Sequence, residues 1–92
     1  MSRKIMFHGQ ECPHCKAMMP LIERLEKETG VAVERLEVWH SEVNADAMRG
    51  FKPVIAPKCG GQLRVPTFLD PEKGEVICGE VAYEALREWA LK

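Results

Sequence analysis

The stretch Lys4-Ile5-Met6-Phe7-His8-Gly9-Gln10-Glu11-Cys12-Pro13-His14-Cys15-Lys16-Ala17-Met18-Met19-Pro20 decides the fold of this 92-residue chain. Its first part, Lys4 to His8, is a short apolar run ended by Gly9, and that length suits a buried strand better than a helix. After Cys15 the apolar residues Met18, Leu21, Ile22 and Leu25 recur at helical spacing. Glu23, Arg24, Glu26 and Lys27 are left for water, and Gly30 supplies a stop. A strand therefore leads into an amphipathic helix, with Cys12-Pro13-His14-Cys15 at the junction. Cys12 falls at or just before the helix start, where unpaired backbone N–H groups and the helix dipole favour a thiolate.

Further along, Val31 to Trp39 carries Val31, Val33, Leu36, Val38 and Trp39 among charged residues and predicts a second strand, best defined from Leu36 to Trp39. Ser41 caps a short helix in which Val43, Ala47 and Phe51 recur every four residues. The next stretch, with Pro53, Pro57, Gly60 and Gly61, reads as a loop or broken helix. Val65 to Leu69 is a third strand, Asp70 to Gly74 a turn, and Glu75 to Cys78 a fourth strand, so this pair is a hairpin. From Val81 the residues Val81, Ala85, Leu86 and Trp89 return at helical spacing. The order is βαβαββα. A crossover makes the first two strands parallel and the hairpin adds an antiparallel pair, which gives an α/β fold with a four-stranded mixed sheet and helices on both faces. Residues 1–92 form one domain on this reading, because two would each be too small for a core.

Thirteen Lys plus Arg stand against fourteen Asp plus Glu, a formal net charge of -1. No block of one sign exists to grip nucleic acid or anionic lipid. The amino terminus, Met1-Ser2-Arg3-Lys4, precedes an apolar run too short for a signal peptide, and no run spans a bilayer. A cytoplasmic protein is the expectation, and there four cysteines point to reactive or metal-binding thiols instead of two structural bridges.

Those thiols suggest a chemistry. Cys12 would attack a substrate disulfide to form a mixed disulfide, and Cys15, one helical turn on, would then attack Cys12 and release the reduced substrate; reversed, the steps oxidise a substrate. Pro13 stiffens the turn, and His14, when protonated, adds a positive charge beside the thiolate.

The run Cys12-Pro13-His14-Cys15-Lys16-Ala17-Met18-Met19-Pro20 resembles the signature of the thioredoxin superfamily, a Cys-x-x-Cys followed by Lys and by a helix-kinking proline. Val65-Pro66-Thr67 resembles its second signature, in which the proline is cis and faces the cysteines. The resemblance covers nearly the whole chain and implies a thioredoxin fold. It also implies a thiol–disulfide oxidoreductase, with Cys12, Pro13, His14 and Cys15 as the catalytic motif and Val65, Pro66 and Thr67 as the substrate ledge. Pro20 would bend the helix so that its first turn points the cysteines outward. Where thioredoxins carry Trp before the first cysteine and a buried acid six residues before it, this chain has Glu11 and Met6. The length is closer to that of glutaredoxins, and Gly79-Glu80 is faintly similar to their glutathione-binding turn. The dipeptide Pro-His is that of periplasmic disulfide oxidases, whose large helical insertion is missing here.

The expected protein is a monomer without a bound cofactor or metal. It acts on a disulfide-containing protein or a small thiol substrate, with electrons from a reductase, glutathione or another dithiol protein. Cys78 and Cys59 are accessory thiols that could approach Pro66, form a second disulfide or help hold a metal, or else be an inert core thiol and an inert loop thiol. Two other functions fit the same residues: a module binding zinc or a softer ion through Cys12 and Cys15, and a redox-sensing interaction domain. His8 and His40 read as surface or capping residues, Met18 and Met19 as core or groove rim, and Trp39 and Trp89 as core.

Overall fold

The central strand β1 (Ile5–His8) has no exposed surface at Ile5, Met6 or Phe7, which places it between two apolar layers. A computed structural model describes residues 3–92, so Met1 and Ser2 of the amino-terminal run read above lie outside the described residues. Helix α1 (Pro13–Thr29) follows, capped by Cys12 and closed by Gly30, whose φ of 74° is left-handed and whose N–H donates to the Glu26 carbonyl at 3.0 Å. A side chain at Gly30 would be strained there.

Strand β2 (Glu34–Glu37) is shorter than the sequence pattern suggests; it spans the break in alternation at Arg35 and ends before Val38 and Trp39, which were expected to belong to its best-defined part. Helix α2 (Glu42–Gly50) begins at Ser41, whose Oγ accepts the Asn44 N–H at 3.2 Å. The stretch expected to be a loop or broken helix is mostly helical: α3 (Lys52–Ile55) and a 3-10 turn at Ala56–Lys58. Each is opened by a proline, Pro53 and Pro57, whose missing N–H is not needed in a first turn. Strands β3 (Thr67–Asp70) and β4 (Glu75–Cys78) form the hairpin, and α4 (Tyr83–Leu91) ends the chain.

The sheet order is β2-β1-β3-β4, with β1 parallel to β2 and antiparallel to β3, and β3 antiparallel to β4. Alternation along the strands splits the core in two. Met6, Phe68 and Ile77 face a layer with Met18, Ile22 and Leu25 of α1 and Leu86 and Trp89 of α4. Ile5, Phe7, Leu69 and Val76 face Met48 of α2 and Ile55 of α3. Helices thus cover both faces. Phe68 meets Trp89 edge to face at 5.8 Å between centroids.

At the pole where β1 begins, Lys4 and Asp70 form a buried ion pair. Asp70 Oδ1 also accepts the N–H groups of Glu72 and Lys73, which shapes the β3–β4 turn. Lys4 Nζ reaches the Lys92 carbonyl at 3.3 Å and lies 5.7 Å from the Trp89 ring. No helix among the described residues is long and apolar enough to cross a membrane.

Cys59 and Cys78 are joined in a disulfide with 5.7 Å between their Cα atoms, and both belong to the layer with Ile5 and Phe7. The alternatives of an inert core thiol and an inert loop thiol therefore give way to a bond. Strand alternation sends Cys78 to the side of the sheet away from Cys12 and Cys15, so the two pairs do not share a metal site or an active face.

A bond closing 19 residues of sequence separation constrains the unfolded chain by about 3 kcal/mol. In a Cys12→Ser, Cys15→Ser background, where only this bond responds to reductant, denaturant melts with and without dithiothreitol should differ by that amount. Coincident melts would show that the pair does not stabilise the fold.

Candidate active site

Where β1 ends, the chain turns at Gly9 and Cys12 N–H donates to the Gly9 carbonyl at 3.1 Å. That turn leaves Cys12 in an extended conformation (φ -74°, ψ 114°) as the cap of α1, with Pro13 at the first helical position. The cap acceptor is sulfur: Cys12 Sγ receives the Cys15 N–H at 3.3 Å. Sulfur thus takes the place of the oxygen that caps most helices.

Both cysteines are more buried than the sequence suggests, Cys12 4% exposed and Cys15 1%, and both belong to the layer between α1 and the sheet. The first turn of α1 does not point them outward, because their side chains continue the apolar stripe of Met18, Ile22 and Leu25. They are free thiols. Burial, together with the hydrogen bond to Cys12, pushes the Cys15 thiol from 9.0 up to about 12. Cys15 is thus held as a protonated thiol.

Opposite the helix start, the Val65–Pro66 peptide is cis. Neither the amide nor the carbonyl of Val65 has a hydrogen-bond partner among the described residues. Val65 packs against both core layers, including the one that holds the cysteines. The Pro66 carbonyl accepts the Gly79 N–H at 2.8 Å, which fastens this loop to the end of β4. Thr67 is fully buried and its Oγ1 donates to the Arg64 carbonyl at 2.5 Å, so its side chain braces the loop from within.

Two histidine–carboxylate pairs flank the dithiol. His14 Nδ1 lies 3.1 Å from Glu80 Oε1, and His40 Nε2 lies 2.7 Å from Glu11 Oε1. The Glu11 hydrogen bond raises the His40 pKa. Glu37 joins the two loops: its carboxylate accepts the N–H groups of Gln10 at 2.8 Å, Trp39 at 3.1 Å and His40 at 2.7 Å. Burial works against its charge, but those amides hold its carboxyl below the ordinary value.

Trp39 is not core; it is 52% exposed and its ring lies over Gly9, where a Cβ would come within 2.2 Å of the indole. Only glycine fits beneath that ring. The sequence reading missed this contact; the parallel register that sets His8 opposite Glu37 carries Gly9 level with Val38, next to Trp39. No group of three His, Cys, Asp or Glu able to hold a metal ion occurs among the described residues.

No protein-family model matches the chain, and no curated protein does. Among solved structures, the crystal structure of the glutaredoxin (grx-1) from Archaeoglobus fulgidus superposes with a TM-score of 0.65 at 21% identity, covering 97% of this chain and 86% of that one. The chain has the glutaredoxin fold. In this glutaredoxin fold the buried acid is Asp70, paired with Lys4 at the far end of β1, about 16 Å of strand from Gly9. Met6 lines the core beneath the dithiol in its place.

Because the Cys15 pKa is raised on folding, the unfolded chain loses this proton first. Its contribution to stability is therefore present below pH 9 and is lost as pH rises toward 12. The Tyr83 pKa is also raised, chiefly by burial, but that effect is common to both redox states. The stability of the Cys12–Cys15 disulfide form relative to the dithiol form should thus grow between pH 9 and 12, measured by urea melts of each. A difference independent of pH over that window would contradict the buried, protonated Cys15.

Proposed function

We propose that the protein is a thiol–disulfide oxidoreductase that exchanges the Cys12–Cys15 pair with the disulfide of a protein or small molecule. The observation that carries this reading is the asymmetry of the pair. Cys12 caps the helix with its sulfur, and Cys15 follows one turn on, buried and with its pKa pushed up to about 12.

The chemistry follows from that asymmetry. The Cys12 thiolate attacks one sulfur of the substrate disulfide, a Cys12–substrate bond forms, and the other substrate sulfur leaves as thiolate. Cys15 then attacks Cys12 Sγ, the Cys12–substrate bond breaks, and the departing thiolate takes up the Cys15 proton. Two electrons have passed from the dithiol to the substrate, and the enzyme is left as the Cys12–Cys15 disulfide. A thiol donor, whether glutathione, a dithiol protein or a reductase, returns it to the dithiol. The proton transfer needs no buried acid, which accords with Met6 in place of one.

The glutaredoxin fold supports this class of activity. The unpartnered backbone groups of Val65 support a short β-type contact with an extended substrate segment, while Pro66 shapes the ledge. We place the protein in the cytoplasm, acting as a monomer without a bound cofactor. In that compartment the Cys59–Cys78 bond persists when its potential lies below that of the thiol pool.

Metal-free protein equilibrated in glutathione buffers of graded ratio, alkylated and read by peptide mass should show Cys12 and Cys15 switching together between dithiol and disulfide. Cys15→Ser should accumulate the mixed disulfide on Cys12, and Cys12→Ser should reduce turnover of disulfides to background. Failure of any Cys12–Cys15 disulfide to form at every ratio would exclude the oxidoreductase reading and leave metal binding by the pair to be tested by metal content.

A further inference from the structure

We propose that the groove between Trp39 and Val65 is a specificity subsite for an extended substrate polypeptide that presents an apolar side chain and, beside it, a carboxylate. The inference deepens the thiol–disulfide reading and rests on it.

The groove encloses about 210 Å³ and is lined on one side by Trp39, Ala45 and Met48 and on the other by Leu63, Arg64 and Val65. Trp39 lies over Gly9, three residues before Cys12, and Val65 touches the layer containing Cys12 and Cys15. A segment whose backbone pairs with the free amide and carbonyl of Val65 lays every second side chain along this groove. Its apolar partner is the half-exposed indole of Trp39.

Charge selects the second feature of the occupant. Two arginines line the groove, but Arg49 is engaged by Asp46 and lies 3.6 Å from Glu42. Arg64 is exposed and has no ion-pair partner among the described residues. The acidic groups nearest Trp39 are likewise committed, Glu11 to His40 and Glu37 to three backbone amides. The groove therefore offers one uncompensated guanidinium next to an apolar wall, and a carboxylate on the substrate complements it with a charge-assisted hydrogen bond. The wall that carries Arg64 is fixed in place. Its carbonyl is tied to Thr67, and the Cys59–Cys78 disulfide anchors the preceding loop to β4.

The test uses the full-length protein and short peptides whose single cysteine is bonded to a chromogenic thiol. Each carries Leu near the cysteine and Glu, Gln or Lys beside the Leu, in sets placed on either side of the cysteine. In one set the Glu peptide should exceed the Lys peptide in kcat/KM by about tenfold at low salt, mainly through KM, and the ratio should shrink as salt rises. Arg64→Ala should bring that ratio close to one and Arg64→Lys should retain most of it, while Trp39→Ala should raise KM for the Leu peptides of that set.

Equal rates for Glu and Lys peptides in both sets overturn the inference and leave the oxidoreductase reading intact. A preference that survives Arg64→Ala but disappears in Lys16→Ala also overturns it, by assigning recognition to the exposed lysine after Cys15. Should no peptide disulfide be attacked, the oxidoreductase reading fails on its own, and the groove is judged by binding. A peptide with Ser for Cys should then shift the Trp39 indole N–H resonance when it carries Glu and not when it carries Lys, and no shift with either would sink the inference.

Discussion

The amide of Cys15 donates to the sulfur of Cys12 at 3.3 Å, so one atom is the cap of α1 and, in the proposed chemistry, also the reacting group. Most caps use a side-chain oxygen that does nothing else, as Ser41 does for α2. In the proposed exchange the Cys12 sulfur becomes bonded to substrate and is then a weaker acceptor than a thiolate. Forming that intermediate would weaken the cap, loosen the turn that holds Cys15 and so ease the movement of Cys15 onto Cys12.

That arrangement needs a rigid base, and β1 provides it. Three consecutive residues without exposed surface hold the strand between two layers, and the chain leaves it at Gly9 under the Trp39 ring. Glu37 ties the β2 side of the turn to the cysteine loop through Gln10, while Gly79 fastens the Val65–Pro66 loop to β4. The free Cys12 and Cys15 and the bonded Cys59 and Cys78 lie on opposite sides of this sheet, so the proposed exchange at Cys12 need not scramble the Cys59–Cys78 bond.

Element order, the mixed sheet and the place of Cys12 at a helix start were all legible in the sequence, because each rests on a local signal: apolar period, a capping position, a proline or a glycine. What was not legible depends on long-range packing. Trp39 reads as core by its character, yet it lies past the end of an edge strand and only the register with β1 shows what it covers. Residues 52–58 read as irregular because two prolines break the pattern, though each proline opens a helical turn. Cys59 and Cys78 have no local signal for pairing; the hairpin and the 3-10 turn bring them together. Burial of Cys12 and Cys15 was missed for the opposite reason: attention to their chemistry hid that they continue the apolar stripe of α1.

The buried ion pair at the other end of β1 clarifies the division of labour. Lys4 and Asp70 satisfy each other, the β3–β4 turn and the Lys92 carbonyl, so their charges are committed to holding the hairpin and the end of α4 to the sheet. A carboxylate in that place is separated from Gly9 by about 16 Å of packed strand and cannot accept the Cys15 proton. Met6, which lies between, makes the floor of the site apolar, and burial raises the cost of charging Cys15. On the proposed mechanism Cys15 therefore stays neutral until a leaving thiolate is beside it, and the order of the two exchange steps is set by burial instead of by a dedicated base.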